Sequence, residues 1–394
     1  MIILLAGSIL SCEREISPEQ AGSFIKFYGS YLFDEAGDVE VLANGGYAIC
    51  GTESNESLGK RMVLIVTDKY GNIQSGFPRY YAEEGLETGG TSLIALQGGT
   101  GGFFIAGFVE RPVEGAQEVQ KDIFLVRTSA NGQATWQRSY GSAEDENISH
   151  AIERINSGYL LAGTQVKSGR SDILVMGVTE EGDSIRLGLN YNNPHAKNSA
   201  ASFLLNTGEM YLCACTFDKA NNEGTGIEIL TFDNDLSPLA KNLSGEYDEY
   251  GMSILQEDGN HFLVLGNRTN GSGSSELLIY ALESNGFLIT SSSLVATISG
   301  ANTDLIGNRI IGTDDGNLAI EGTRRAGSNS EVFLQFVTSS YQIGGLVTYG
   351  ASGAQTGRDI ELTNDGGFVV LGTNSMGGSS IISLMKTSST GDIE

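Results

Sequence analysis

Apolar residues come along this chain in short bursts, each closed by a small residue and often a threonine, and each entered from a polar turn. Gly46-Tyr47-Ala48-Ile49-Cys50-Gly51-Thr52 is one copy. Gly102-Phe103-Phe104-Ile105-Ala106-Gly107 and Gly158-Tyr159-Leu160-Leu161-Ala162-Gly163-Thr164 are two more. Degenerate copies lie at residues 211–216 and 261–266, and the set closes at 317–323 and 367–373. Bursts this short, bounded by Gly, Asn and Asp, predict strands and not helices. The closing position falls at Gly51, Gly107, Gly163, Cys215, Gly266, Gly322 and Gly372, at intervals of 56, 56, 52, 51, 56 and 50 residues. A period of that size is the mark of a repeat architecture.

Each unit reads as four strands. An alternating stretch such as residues 357–362 runs into the turn Asn364-Asp365-Gly366-Gly367 and then the apolar burst. After a variable loop comes a third strand, as at 172–176, then a tight turn such as Ala130-Asn131-Gly132, then a fourth strand, as at 135–140. Asn-Gly and Asp-Gly supply the positive φ that two-residue hairpin turns require. Seven such units predict an all-β fold: a seven-bladed β-propeller of four-stranded antiparallel blades spanning residues 24–394. First strands carry small residues, at Gly37, Gly90, Ala151, Ala200, Gly251, Gly307 and Gly357, as expected where backbones crowd an axis. The chain opens on a lone fourth strand, residues 24–28, and ends after a third, residues 381–386. The N-terminal strand is therefore expected to complete the last blade and leave no open edge.

Composition narrows the function. The chain has 54 Gly against 5 Pro and 40% hydrophobic residues, which suits many short strands and excludes a disordered chain. Its net charge of −25 repels phosphate backbones, so no nucleic-acid partner is expected. Residues 1–11 (MIILLAGSILS) form an apolar run too short to cross a bilayer as a helix, and it ends at Cys12. Ile9-Leu10-Ser11-Cys12 resembles the lipobox of bacterial lipoproteins, in which the leader is removed and the cysteine is lipidated. No Lys or Arg precedes the apolar run, so residues 1–11 read as a truncated signal peptide whose start lies upstream. Residues 12–23 then read as a lipidated tether. Cys50, Cys213 and Cys215 read as small buried hydrophobes.

The repeat itself resembles the propeller units of lipoproteins of Bacteroidota, roughly Tyr-Gly, an acidic loop, Asp-Gly-Gly-Tyr and Gly-Thr. Units four and six depart from it: Cys215 stands in place of glycine, and Leu236 and Tyr341 occupy turn positions where glycine is usual. The resemblance implies the fold and a place in the cell envelope as an outer-membrane lipoprotein. It implies no activity.

The fourth-to-first loops share one face and are acidic, with interleaved aromatics. Tyr31, Phe33, Asp34 and Glu35, then Glu83, Glu84 and Glu87, make up the first two clusters. Glu144, Asp145 and Glu146, then Glu246, Tyr247, Asp248, Glu249 and Tyr250, make up the others. These residues form the candidate partner-binding face, since variable loops on a rigid scaffold carry function. Chemistry is harder to find. Asp233-Asn234-Asp235 lacks the glycine and the final acid of a calcium loop. Gly98-Gly99-Thr100-Gly101-Gly102 lacks the lysine of a phosphate cradle. His150, His195 and His261 fall in different repeats, so neither a metal nor a cofactor is expected, and no catalytic residue is assigned. The leading expectation is a non-catalytic, membrane-anchored scaffold or binding subunit whose partner is an envelope protein such as an outer-membrane β-barrel. The alternatives are a glycan-binding accessory lipoprotein, and a hydrolase or lyase with carboxylates at the axis. Asp, Glu, Arg and His clustered at the axial mouth mark the enzyme.

Overall fold

A computed structural model describes residues 22–393 other than 114, 116–117, 188–197, 220–222, 244, 246 and 351–352. Cys12 and the leader lie outside the described residues. Apart from a 3-10 turn at Leu96–Gly99, the regular elements described are all strands, and no helix among them is long and apolar enough to cross a membrane.

β1 (Phe24–Tyr28) stands ahead of the first quartet: β2 (Glu35–Val41), β3 (Tyr47–Asn55), β4 (Gly59–Thr67) and β5 (Arg79–Tyr81). The second is β6 (Glu87–Ala95), β7 (Phe103–Pro112), β8 (Val119–Thr128) and β9 (Ala134–Tyr140). The third is β10 (Glu146–Glu153), β11 (Tyr159–Lys167), β12 (Arg170–Val178) and β13 (Ser184–Leu187). The fourth is β14 (Ser199–Asn206), β15 (Tyr211–Asp218), β16 (Thr225–Phe232) and β17 (Leu239–Asn242). The fifth is β18 (Asp248–Asp258), β19 (His261–Thr269), β20 (Ser275–Asn285) and β21 (Leu288–Ser299). β22 (Asp304–Gly312), β23 (Leu318–Ala326), β24 (Asn329–Val337) and β25 (Ile343–Tyr349) follow, and then β26 (Ala354–Leu362), β27 (Phe368–Met376) and β28 (Ser379–Thr387).

Five quartets are separate four-stranded antiparallel sheets in sequence order. The last eight strands depart from that expectation. β22–β25 and β26–β28 with β1 merge into one mixed sheet, because Ser330 of β24 and Ala354 of β26 pair in parallel. β1 pairs antiparallel with β28 from Phe24 opposite Lys386 to Tyr28 opposite Ile382. First strands pack on one another in order, β2 on β6, β6 on β10 and so on to β22 on β26, and β26 packs back on β2.

Sheets stacked face to face bury their middle strands on both sides, so these strands are continuously apolar and not alternating. Residues 47–54 of β3 are buried throughout. Leu64 and Val66 of β4 pack with Ile105 of β7 and Phe124 of β8 between the first two sheets. Each such side chain contributes about 1.5–3 kcal/mol by leaving water. Neighbouring quartets are also tied at the rim. The Tyr28 hydroxyl donates to the Gly71 carbonyl at 2.7 Å, Tyr81 to Gly132 at 2.6 Å and Tyr349 to Gly391 at 2.5 Å, and Tyr140 makes the same bond to Gly182. Each joins an outermost strand to a turn of the next quartet. Leu236 (φ 56°) and Tyr341 (φ 61°) adopt the left-handed conformation that glycine would supply at their turns. Cys50, Cys213 and Cys215 are buried and free.

One irregularity recurs in every first strand. The register slips by one residue between Ala36 and Asp38, Gly90 and Ser92, Ile148 and His150, and Ala201 and Phe203. It does so again between Gly251 and Ser253, Gly307 and Arg309, and Gly357 and Asp359. Each slip follows the partner of the repeat's closing residue, from Gly51 through Cys215 to Gly372. The bulge shows that the sequence alignment of first strands was out of step: Ala36, Ile148 and Ala201 are the equivalents, and not Gly37, Ala151 and Ala200. A small residue is thus not universal there, since Ile148 is accommodated. The closing glycine is more tightly constrained. A Cβ on Gly163 would lie 1.8 Å from the Asn147 carbonyl oxygen, and one on Gly107 would lie 1.9 Å from that of Gly89.

Gly163→Ala is therefore expected to destabilise the protein by about 1–3 kcal/mol in urea unfolding. Gly259→Ala, where an added Cβ meets nothing within 4 Å, is expected to change it by less than about 0.5 kcal/mol. Equal effects of the two substitutions would count against the bulge as a packing constraint.

Candidate active site at the axis

The acidic loop face divides on inspection of its side chains. Tyr31, Phe33, Tyr247 and Tyr250 are exposed, as are Glu35 and Glu84. Asp34, Glu146 and Glu249 are buried and are consumed within their own loops. Asp34 accepts the backbone N–H groups of Ser30, Tyr31 and Ser54, Glu146 that of Ser142, and Glu249 that of Gly245 together with the Tyr280 hydroxyl. These acids hold the entry to β2, β10 and β18, much as an Asx turn is held by its own carboxylate. Glu83 pairs with Arg111 at 2.9 Å, Asp145 accepts from Lys121 N and Asp248 from Thr225 N, and Glu144 accepts from Ser168 N. Glu87 is half-buried at the start of β6. Glu246 and His195 lie outside the described residues.

Charge also gathers at the axis. A bulge re-aims the side chains around it, and the seven extra residues, Gly37, Thr91, Ser149, Ser202, Met252, Asn308 and Arg358, all line one cavity of about 430 Å³. It lies at the starts of the first strands, toward the loop-rich face. A second cavity of about 440 Å³, lined by Glu40, Glu153 and Glu361, lies at their far ends. Asp38, His150 and Arg309 line both.

That waist holds a tightly connected set. Asp38 and Asp359 are buried side by side, both within reach of one backbone N–H. Val39 N donates to both, at 2.9 Å to Asp38 and 3.3 Å to Asp359. Asp38 also accepts from the Ser92 hydroxyl at 3.0 Å and from Leu93 N at 2.8 Å. Arg309 lies 3.4 Å from Asp359 and 3.0 Å from Glu361, with its guanidinium over the Phe203 ring. His150 stacks on Phe203, and its Nδ1 accepts from Leu204 N at 3.3 Å, so the neutral ring carries its proton on Nε2. Among the described residues, no group of three or more His, Cys, Asp or Glu side chains is disposed to hold a metal ion.

Burial sets the protonation states. It pushes Asp38 well above the usual carboxylate range, and the neighbouring Asp359 adds to the shift. Burial raises Glu40 to about 8, helped by Glu361, and raises Glu361 to about 7. Glu361 and Arg309 keep 28% and 20% of their side-chain surface accessible, but both face the confined axial space. Burial likewise drives His150 well below its ordinary value, reinforced by Arg309 and Arg358. Burial opposes the charge on Arg309, but Asp359, Glu361, Asp38 and Glu40 together outweigh it and hold the guanidinium charged.

No linear motif announced this site, because its residues come from strands separated by whole repeats. The available signal was a charged residue or pair within two residues of the small residue of a first strand: Asp38, Arg309, and Arg358 with Asp359.

No protein-family model matches the chain, and no curated protein does. Among solved structures, it is similar to a puromycin hydrolase at 11% identity and a TM-score of 0.54, covering 89% of this chain and 51% of that one. It is also similar to an acylaminoacyl peptidase of Pyrococcus horikoshii at 10% identity and a TM-score of 0.50, covering 90% and 52%. The chain thus spans about half the length of these proteins, and the likeness is one of fold: propeller-like, built of four-stranded antiparallel sheets. The expectation of a non-catalytic scaffold subunit, and of no enzyme activity, is corrected here. The similar structures are hydrolases by name, and the axis carries the Asp, Glu, Arg and His cluster set out as the mark of an enzyme.

The raised carboxyls fix the sign of a pH effect. Glu361 binds its proton more tightly folded than unfolded, so its contribution is complete below about 4.5 and is lost as pH rises through about 7. Glu40 acts likewise, through about 8. The stability of the native chain should fall between pH 4.5 and 8, and Glu361→Gln should remove on the order of 2 kcal/mol of that fall. Parallel pH profiles for the two proteins in urea unfolding would contradict this account.

Proposed function

We propose that the protein is a hydrolase whose acid–base chemistry is carried by Asp38 and Asp359. The observation that carries this reading is the pair of buried carboxyls that share the Val39 N–H at the waist of the axial cavities, one member held protonated by burial and the other beside Arg309. Such a pair provides an acid and a base at one place. Asp359 takes a proton from water as its oxygen adds to the electrophilic atom of the scissile bond. Asp38 gives its proton to the leaving group as that bond breaks. The proton gained by Asp359 then passes to the adjacent Asp38, which restores the starting state. The names of the two similar structures accord with a hydrolase, although their likeness extends to fold alone.

The site has an architectural requirement. Asp38 lies on β2 and Asp359 on β26, at opposite ends of the chain, and they meet where β26 packs back on β2. We read the eight-stranded sheet as two blades in edge contact, which gives a seven-bladed propeller closed by β1. Support comes from the seven equivalent bulges, the ring of packed first strands, the β1–β28 pairing and a single parallel bridge where the sheets merge. We also propose lipidation at Cys12, on the strength of Ile9-Leu10-Ser11-Cys12.

Screening fluorogenic amides, esters and glycosides is expected to find a substrate. Asp38→Asn and Asp359→Asn should each lower kcat/KM by about a hundredfold or more while the circular-dichroism melt stays cooperative. A chain that turns over nothing in the panel, or variants as active as the parent, would overturn the assignment. Metabolic labelling with an alkyne fatty acid should mark the full-length protein and not its Cys12→Ser variant. Equal labelling of both would exclude that anchor.

A further inference from the structure

Within a chain of net charge −25, the upper axial cavity gathers three basic side chains. Arg358, Arg309 and Lys121 line it, against Asp38 and Asp359. Arg309 is engaged with Asp359 and Glu361, and Lys121 with Glu110 at 3.8 Å. Arg358 differs. Its Nε donates to the Gly37 carbonyl at 2.8 Å, which fixes the guanidinium, and it makes no ion pair with any described residue. It is also the bulge residue of β26, turned to the cavity by the register slip that recurs in every first strand. A guanidinium anchored through Nε still presents a planar pair of N–H donors, the fork that fits an oxyanion in bidentate fashion. His150, lining the same cavity, offers Nε2–H as a further donor. Local fields of this kind in a low-dielectric cleft draw in a ligand that the distant surface would repel.

We propose that the upper axial cavity binds the oxyanion group of a small ligand on Arg358, with His150 as a second donor, so that substrates at this site are anionic. The proposal rests on the hydrolase reading for the word substrate, but its binding claim can be tested apart from it. Titration calorimetry of the full chain with N-acetylglycine, its neutral amide N-acetylglycinamide and inorganic phosphate supplies the test. At least one of the two anions is expected to bind and the amide not to, with carboxylate against phosphate identifying which oxyanion fits. Arg358→Gln should weaken anion binding by tenfold or more, while Arg358→Lys, which keeps the charge without the fork, should weaken it less. Binding of the amide as tight as that of its acid, binding unchanged in Arg358→Gln, or no binding of either anion would overturn the proposal. Anion binding without turnover of any substrate would sink the hydrolase reading alone, whereas turnover without anion binding would sink this inference alone.

Discussion

The structure depends on a single extra residue in each first strand. In a regular antiparallel ladder, the residues facing the axis would simply alternate with those facing the neighbouring sheet. The bulge breaks that alternation at one level, and the strand bends there. It brings a backbone carbonyl hard against the second strand, which is why glycine closes most copies of the repeat: a methyl group at Gly163 or Gly107 would overlap a carbonyl oxygen. It also turns the extra side chain and its successor toward a common space. Where those residues are Thr91, Ser149 and Ser202 the cavity wall is merely polar; where they are Asp38, Arg309, Arg358 and Asp359 it becomes chemistry.

Holding that much charge near the axis is costly, and the structure shows how the cost is met. An unpaired buried charge is expensive, so such groups neutralise, pair or accept several hydrogen bonds. All three remedies are present. Asp38 stays protonated and accepts from Ser92 and Leu93, Arg309 lies between Asp359 and Glu361, and His150 remains neutral with Nδ1 satisfied by Leu204. Replacing the set with apolar residues would pack more stably in general terms. A site that retains acids and bases at some expense to stability is the usual signature of function rather than of folding.

The loop acids teach the opposite lesson. Asp34, Glu146 and Glu249 look from the sequence like a negatively charged face, yet each is spent on backbone N–H groups that would otherwise be left without partners as the chain enters a first strand. An acid that recurs at the same place in three repeats, each time on loop N–H groups, serves the repeat. A charge that occurs in one repeat and not in the others, as Arg358 does, is the better pointer to a site.

The all-β class, the four-strand unit, its spacing and the pairing of residues 24–28 with the C-terminal strand could all be read from the sequence. Each rests on local signals: short apolar bursts, Asn-Gly and Asp-Gly turns, and a period near fifty residues. The closing positions from Gly51 to Gly372 were legible for the same reason, because a carbonyl contact that recurs selects the same small residue almost every time. The exact alignment of first strands was not legible, since a bulge adds a residue without changing composition, and Ile148 occupies a place where a small residue was expected. The fusion of two quartets at Ser330 and Ala354 was not legible either, because one parallel bridge leaves no pattern. The axial site lay furthest out of reach. Asp38 and Asp359 are separated by almost the whole chain, and only the return of β26 onto β2 brings their carboxyls onto one backbone N–H and withdraws them from water, which holds Asp38 well above the usual carboxylate range.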